Sequence, residues 1–212
     1  SKIFLISAVV VFPFSRYLDR YGLYFIVLLP IFIWFGNAIL LTLYFLTVDF
    51  FRQIFRVHFH PQRRLFLNKT LAYGGLLSTS GFQLYGYHRA YSFQVKQVAV
   101  PIKNLPLPFS GFRIAQFTDL HVGPFITKDF VERVVAQVND LRPDLIAITG
   151  DLVDGSVDEL RDHVAPLGKL KSSQGTFFVT GNHEFYSGAD PWCEHLSSMG
   201  MIVLRNQMQS LQ

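Results

Sequence analysis

The second half of this 212-residue chain predicts an α/β domain built on parallel strands. Three apolar runs, Phe112–Phe117, Leu145–Thr149 and Thr176–Thr180, have the length and β-branched or aromatic content of buried strands. Helix-length stretches separate them, and strand–helix–strand alternation implies parallel strands joined by right-handed crossovers. Each run is followed at once by a polar cluster, so the carboxyl ends of the strands carry the chemistry. The first half is of another kind: Tyr21–Val48 is a run of 28 residues without a charge.

The composition divides accordingly. Residues 1–91 hold nine Lys/Arg against Asp19 and Asp49, a net +7. Residues 92–212 hold ten Lys/Arg against thirteen acids, a net −3. The basic character of the chain thus belongs to its first part and argues against nucleic-acid binding by the second. We therefore expect a transmembrane or anchor region at 1–91 and a catalytic domain at 92–212.

Taking the elements in order, Ile3–Phe14 is apolar but too short to span a bilayer alone, and reads as the tail of a helix. Tyr21–Val48 exceeds the roughly 20 residues a membrane helix needs, with Pro30, Gly36 and Asn37 as tolerated interruptions. Leu71–Tyr87 is charge-free and rich in glycine, with Tyr73, Tyr85 and Tyr87 as interface anchors. A surface or re-entrant segment is its alternative. The intervening Asp49–Thr70 is expected as a cytoplasmic loop, because Arg52, Arg56, Arg63, Arg64 and Lys69 outweigh Asp49 by four charges. Ser15–Arg20 carries only +1. Arg63-Arg64 before an apolar run also looks like a twin-arginine export signal. His58 and His60 lack acidic neighbours and read as interfacial side chains. This pattern places the second half outside the cytoplasm.

Ser92–Gly111 forms the junction, with Pro101, Pro106 and Pro108 breaking helix and Phe93–Ile102 readable as an edge strand. Thr127–Leu141 has a candidate cap at Thr127 and an apolar face of Phe130, Val131, Val134, Val135 and Val138. Val157–Leu170 is a weaker helix because Pro166 falls inside it. Met201–Leu204 reads as a further core strand. Cys193, the one cysteine, excludes an internal disulfide framework and is read as a packing residue.

The clusters at the strand ends are Asp119-Leu120-His121, Gly150-Asp151-Leu152-Val153-Asp154 and Gly181-Asn182-His183-Glu184. Carboxylate, imidazole and amide donors of this mix suit a divalent ion such as Mn²⁺, Fe²⁺ or Zn²⁺; a structural zinc would call for cysteines. In order and content they resemble the calcineurin-like metallophosphoesterase superfamily, whose motifs run D-x-H, G-D-x-x-D and G-N-H-[DE]. The hydrophobic N-terminal segment points to its bacterial, membrane-anchored YkuE/YaeI-like subgroup. The resemblance covers about residues 93–212 and implies a four-layer α/β/β/α sandwich, with this chain as the first part of it. The family's later G-H and G-H-x-H motifs are not present, since none of the seven histidines follows a glycine. The expectation is a fragment cut at both ends.

The resemblance also implies roles. Two divalent metals about 4 Å apart would clamp the phosphoryl oxygens and activate a hydroxide for attack on the ester. Asp119 and His121 match ligands of the first metal, Asp151 the bridging carboxylate, and Asn182 a ligand of the second. His183 matches the group that stabilises the transition state or protonates the leaving oxygen, and Asp154 the carboxylate that orients it. Glu184 is read as an acceptor supporting the ligands. The expected activity is hydrolysis of phosphate mono- or diesters or pyrophosphates, on a phosphorylated small molecule or lipid-linked substrate at a bacterial inner membrane. The alternative is a degenerate membrane-anchored sensor without the second metal; an integral membrane transport or scaffold protein is weaker, because no charge falls within the apolar runs.

Overall fold

The computed structural model describes residues 29–54 and 61–211. They fall into two compact units, divided between Val95 and Lys96, four residues beyond the boundary expected from composition. The expected Ile3–Phe14 helix and the start of the Tyr21–Val48 run lie outside the described residues.

Among its described residues the first unit contains two helices, α1 (Leu29–Ile54) and α2 (Pro61–Ala90). Within α1, Pro30–Ile54 is long and apolar enough to cross a membrane by length and composition. The expected loop at Asp49–Thr70 is corrected: α1 runs on to Ile54 and α2 begins at Pro61, so Arg63, Arg64 and Lys69 are helical. Charge does not end a helix, and neither stretch contains a breaker between its apolar core and these residues. The Leu71–Tyr87 run is the later part of α2.

The two helices pack antiparallel. Tyr44 lies against Gly75, where a Cβ would fall 2.7 Å from the Tyr44 ring. Asn37 Nδ2 donates to Gln83 Oε1 at 2.6 Å, and Arg52 donates to Asn68 Oδ1 at 2.9 Å.

The second unit is a mixed α/β domain with a four-stranded parallel sheet in the order β1-β2-β3-β4. The strands are Ile114–Phe117, Leu145–Thr149, Thr176–Val179 and Ile202–Val203. Between β1 and β2 runs α3 (Lys128–Asp140), which buries Phe130, Val131, Val134, Val135 and Val138. Thr127 takes the N-cap position, but its side chain makes no capping bond. Between β2 and β3, α4 (Val157–Val164) gives way to a 3-10 turn at Ala165–Lys169 that accommodates Pro166. Between β3 and β4 come α5 (Asn182–Ser187) and α6 (Ala189–Ser198), divided by Gly188 at φ 99°.

Because the strands add in sequence order and right-handed crossovers are the rule, the connecting helices share one face of the sheet. Burial agrees. Ile146, Ile148 and Phe178, in register on that face, are fully buried, while Ile114 and Ile202 on the other are exposed. Trp192 of α6 completes the core, fully buried with its indole N–H donating to Gly155 O at 2.9 Å. Among the described residues this sheet and its helical cover form two layers.

The expected edge strand at Phe93–Ile102 does not form. Its apolar residues alternate in part, but it pairs with no strand among the described residues, and Val98, Val100 and Ile102 stand exposed. Alternation marks a strand only where an edge is there to receive it.

Candidate metal centre

The loops leaving β1 and β2 stay paired after the strands end. Asp119 N donates to Gly150 O, His121 N to Asp151 O and Val122 N to Leu152 O, at 3.2, 3.1 and 2.8 Å. A parallel bridge between Val122 and Val153 closes the far side, and Asp154 N returns to Val122 O at 2.9 Å. This zippered pair of loops presents Asp119, His121, Asp151 and Asp154 together. Asp119, His121 and Asp151 hold left-handed backbone conformations, with φ of 56°, 49° and 51°. Non-glycine residues adopt that region at a cost of about 1–2 kcal/mol each, a strain that clusters at functional sites.

The third cluster arrives from β3 by close backbone approach. A Cβ on Gly150, whose φ is 86°, would lie 2.5 Å from Gly181 N. A Cβ on Gly181 would collide with the Asp151 carboxylate. Two glycines are needed where two strand ends meet backbone to backbone. The contact lets His183 N donate to Asp151 Oδ1 at 2.9 Å.

Glu184 holds the arrangement from beneath. Fully buried, its carboxylate accepts from Gly181 N (2.6 Å), Leu152 N (2.7 Å) and Asp151 N (3.0 Å). It therefore ties the β2 loop to the start of α5. Sequence reasoning treated Glu184 as an acceptor without seeing these partners. It also missed Thr118, whose hydroxyl donates to Asp119 Oδ2 at 2.6 Å; a hydroxyl residue directly before D-x-H was the available signal.

The result is a half-buried cluster in which His121, Asp151 and His183 each place a ligand atom within 4.8 Å of the others. Asp154 Oδ1 lies 3.1 Å from His121 Nδ1 and 2.5 Å from His183 Nδ1. The imidazoles meet edge to face, centroids 4.4 Å apart. Asp119 Oδ1 stands 3.8 Å from His121 Nε2, on the exposed side. Asn182 opens α5 beside Gly181. The close trio thus includes His183, which the sequence assigned to catalysis, in place of the outer Asp119. The carboxylate, imidazole and amide donors gathered here, without sulfur, fit a divalent ion of the Mn²⁺, Fe²⁺ or Zn²⁺ kind, with His183 close beside them. His163 lies apart, accepting from Lys128 N at 3.2 Å, and Cys193 is on α6 with its thiol pushed up by burial.

Residues 112–209 match the family described as calcineurin-like phosphoesterase. The chain carries a calcineurin-like phosphoesterase domain. A zebrafish (Danio rerio) protein named transmembrane protein with metallophosphoesterase domain is 38% identical over 133 residues, 62% of this chain and 30% of its own length. An uncharacterized metallophosphoesterase of Helicobacter pylori is 34% identical over 72% of the chain and 40% of its own length. The uncharacterized metallophosphoesterase YkuE of Bacillus subtilis is 30% identical over 70% of the chain. The chain spans at most 54% of the length of these three relatives. No solved structure matches it.

Proposed function

We propose that the chain is part of a membrane-anchored, metal-dependent phosphoesterase acting on a phosphorylated small molecule or lipid-linked substrate. One observation carries the reading: three strand ends deliver His121, Asp151 and His183 to one point, with Asp154 between the two histidines. The family match supports it.

In this reading Asp119, His121, Asp151 and Asn182 would hold two divalent cations. When bound, those ions supply charge neutralisation and an activated water at neutral pH. The chain's own groups do the rest. Asp154 accepts from His183 Nδ1 and fixes the ring, so the opposite nitrogen faces the ester and delivers a proton to the leaving oxygen. His121 leans on the same oxygen, so one carboxylate aligns both rings. The His183 N–H holds Asp151 in its rotamer.

The apolar helix α1 and the relatives named as transmembrane proteins support membrane association. The further proposal is a bacterial inner membrane with the catalytic domain outside the cytoplasm, because Arg52 lies in the last turn of α1 and Arg63 and Arg64 in the first turn of α2.

The test uses the full-length protein with bis-p-nitrophenyl and p-nitrophenyl phosphate, under Mn²⁺, Zn²⁺ and chelator. Turnover with Mn²⁺ that chelator abolishes is expected. Asp151→Asn should lose bound metal, and His183→Asn should keep it while kcat falls by about 10²–10⁴. Turnover unaffected by chelator, or an unimpaired Asp151→Asn enzyme, would overturn the proposal.

A further inference from the structure

The helical hairpin is built inside out. On α2 the residues turned to α1 are small or polar: Gly75 and Thr79 are buried and Gln83 is half-buried. The outward residues are large and apolar, with Leu77 75% and Leu84 72% exposed. On α1, Leu43 and Leu46 face outward in the same way. A water-soluble hairpin has the opposite distribution.

The polar groups answer one another across the pair. Asn37 donates to Gln83 Oε1 (2.6 Å), Thr79 Oγ1 lies 3.1 Å from Asn37 Oδ1, and Gln83 Nε2 reaches the Ile33 carbonyl at 3.2 Å. The hydroxyls that point outward, on Thr42, Thr47 and Thr70, each donate to a carbonyl of their own helix at 2.7–3.1 Å. Self-contained hydroxyls and satisfied amides are what hydrocarbon demands and water does not.

Length agrees. The charge-free stretch of α2, Thr70–Tyr87, spans about 27 Å, against a hydrocarbon core of about 30 Å. Lys69 bounds one end, His88 and Arg89 the other, and Thr79 sits at its middle.

From these observations we infer that α2 crosses the bilayer beside α1, although it is too polar to do so alone, and that the Asn37–Thr79–Gln83 clasp at mid-depth holds it there. The partner of the outer surface is lipid hydrocarbon. This rests on the membrane-anchor part of the proposed function but not on its chemistry.

The experiment uses the full-length chain in native membranes, with Cys193→Ser and single cysteines introduced along α2 for a water-soluble thiol reagent. In the otherwise natural sequence, Leu77→Cys should resist labelling that Lys69→Cys accepts. Asn37→Leu leaves Gln83 Oε1 without its donor in hydrocarbon, while the Thr79 hydroxyl keeps the Gly75 carbonyl, and labelling at 77 should rise about three- to thirtyfold. The double substitution Asn37→Leu/Gln83→Leu removes both large amides and should restore protection. Free labelling at 77 without the clasp substitutions, or an Asn37→Leu protein as protected as its parent, overturns the inference. Chelator-sensitive phosphoesterase turnover in the same membranes is read separately, so loss of one conclusion leaves the other standing.

Discussion

A methyl group at position 181 has no room, because it would occupy the place of the Asp151 carboxylate oxygen. Gly181→Ala should therefore displace Asp151 and weaken metal binding roughly tenfold or more, read by calorimetric titration of Mn²⁺ into the full-length protein. Glu184 makes a different demand. Truncation to alanine leaves one buried and two part-buried N–H groups without their acceptor, each costing up to about 1–3 kcal/mol. The expected loss, on the order of 3 kcal/mol or more, is measured by denaturant unfolding; a loss under about 1 kcal/mol would show that water replaces the carboxylate. At this scale the motifs named the polar residues that converge, since spacing and residue type are written in the chain. What they hid was backbone. The positive φ values at Asp119, His121 and Asp151 come from two loops hydrogen-bonding to each other, which no local pattern records.

Among the elements, α4 shows how a helix start can depend on acidity. The Glu159 carboxylate accepts from the Ser156 hydroxyl at 2.7 Å and from its N–H at 2.9 Å. The hydroxyl, then the backbone N–H, lower its pKa from the ordinary 4.5, against a smaller opposing effect of burial. A carboxyl whose folded pKa is depressed adds stability above its unfolded pKa and loses that stability as pH falls through the folded one. Glu159→Gln should accordingly lower the thermal midpoint at neutral pH, and the gap between the two proteins should close as pH drops below about 4. A gap independent of pH would mean the capping carboxylate contributes only shape. Strands β2 and β3 and helix α3 were legible within a residue or two because each has a strong period and a clear stop. Phe93–Ile102 was misread because pairing is a tertiary fact. Asp49–Thr70 was read as loop although α1 reaches Ile54 and α2 starts at Pro61, because charged residues continue a helix as readily as they end one.

For the whole molecule, the division into a basic apolar part and an acidic α/β part was already present in charge and hydropathy. With the end of α1 and the start of α2 basic, the segment after α2 is predicted to lie outside the cytoplasm. A phosphatase reporter fused after Tyr91 of the natural chain should be active, and a reporter that works only in the cytoplasm should be silent there. The reverse pair of results would move the catalytic domain to the inner face and leave its chemistry unchanged.

The sequential strand order has a consequence for how the protein is made. Each strand joins the sheet next to the one synthesised just before it, so every pairing closes a short stretch of chain. As the polypeptide leaves the ribosome, β1 and β2 can dock first and bring Asp119 and His121 to Asp151. His183 and the Glu184 carboxylate follow only once β3 has been added. The nascent chain therefore lacks His183 and Glu184 at this centre until about residue 184 has emerged, and these parts of it assemble in the direction of translation.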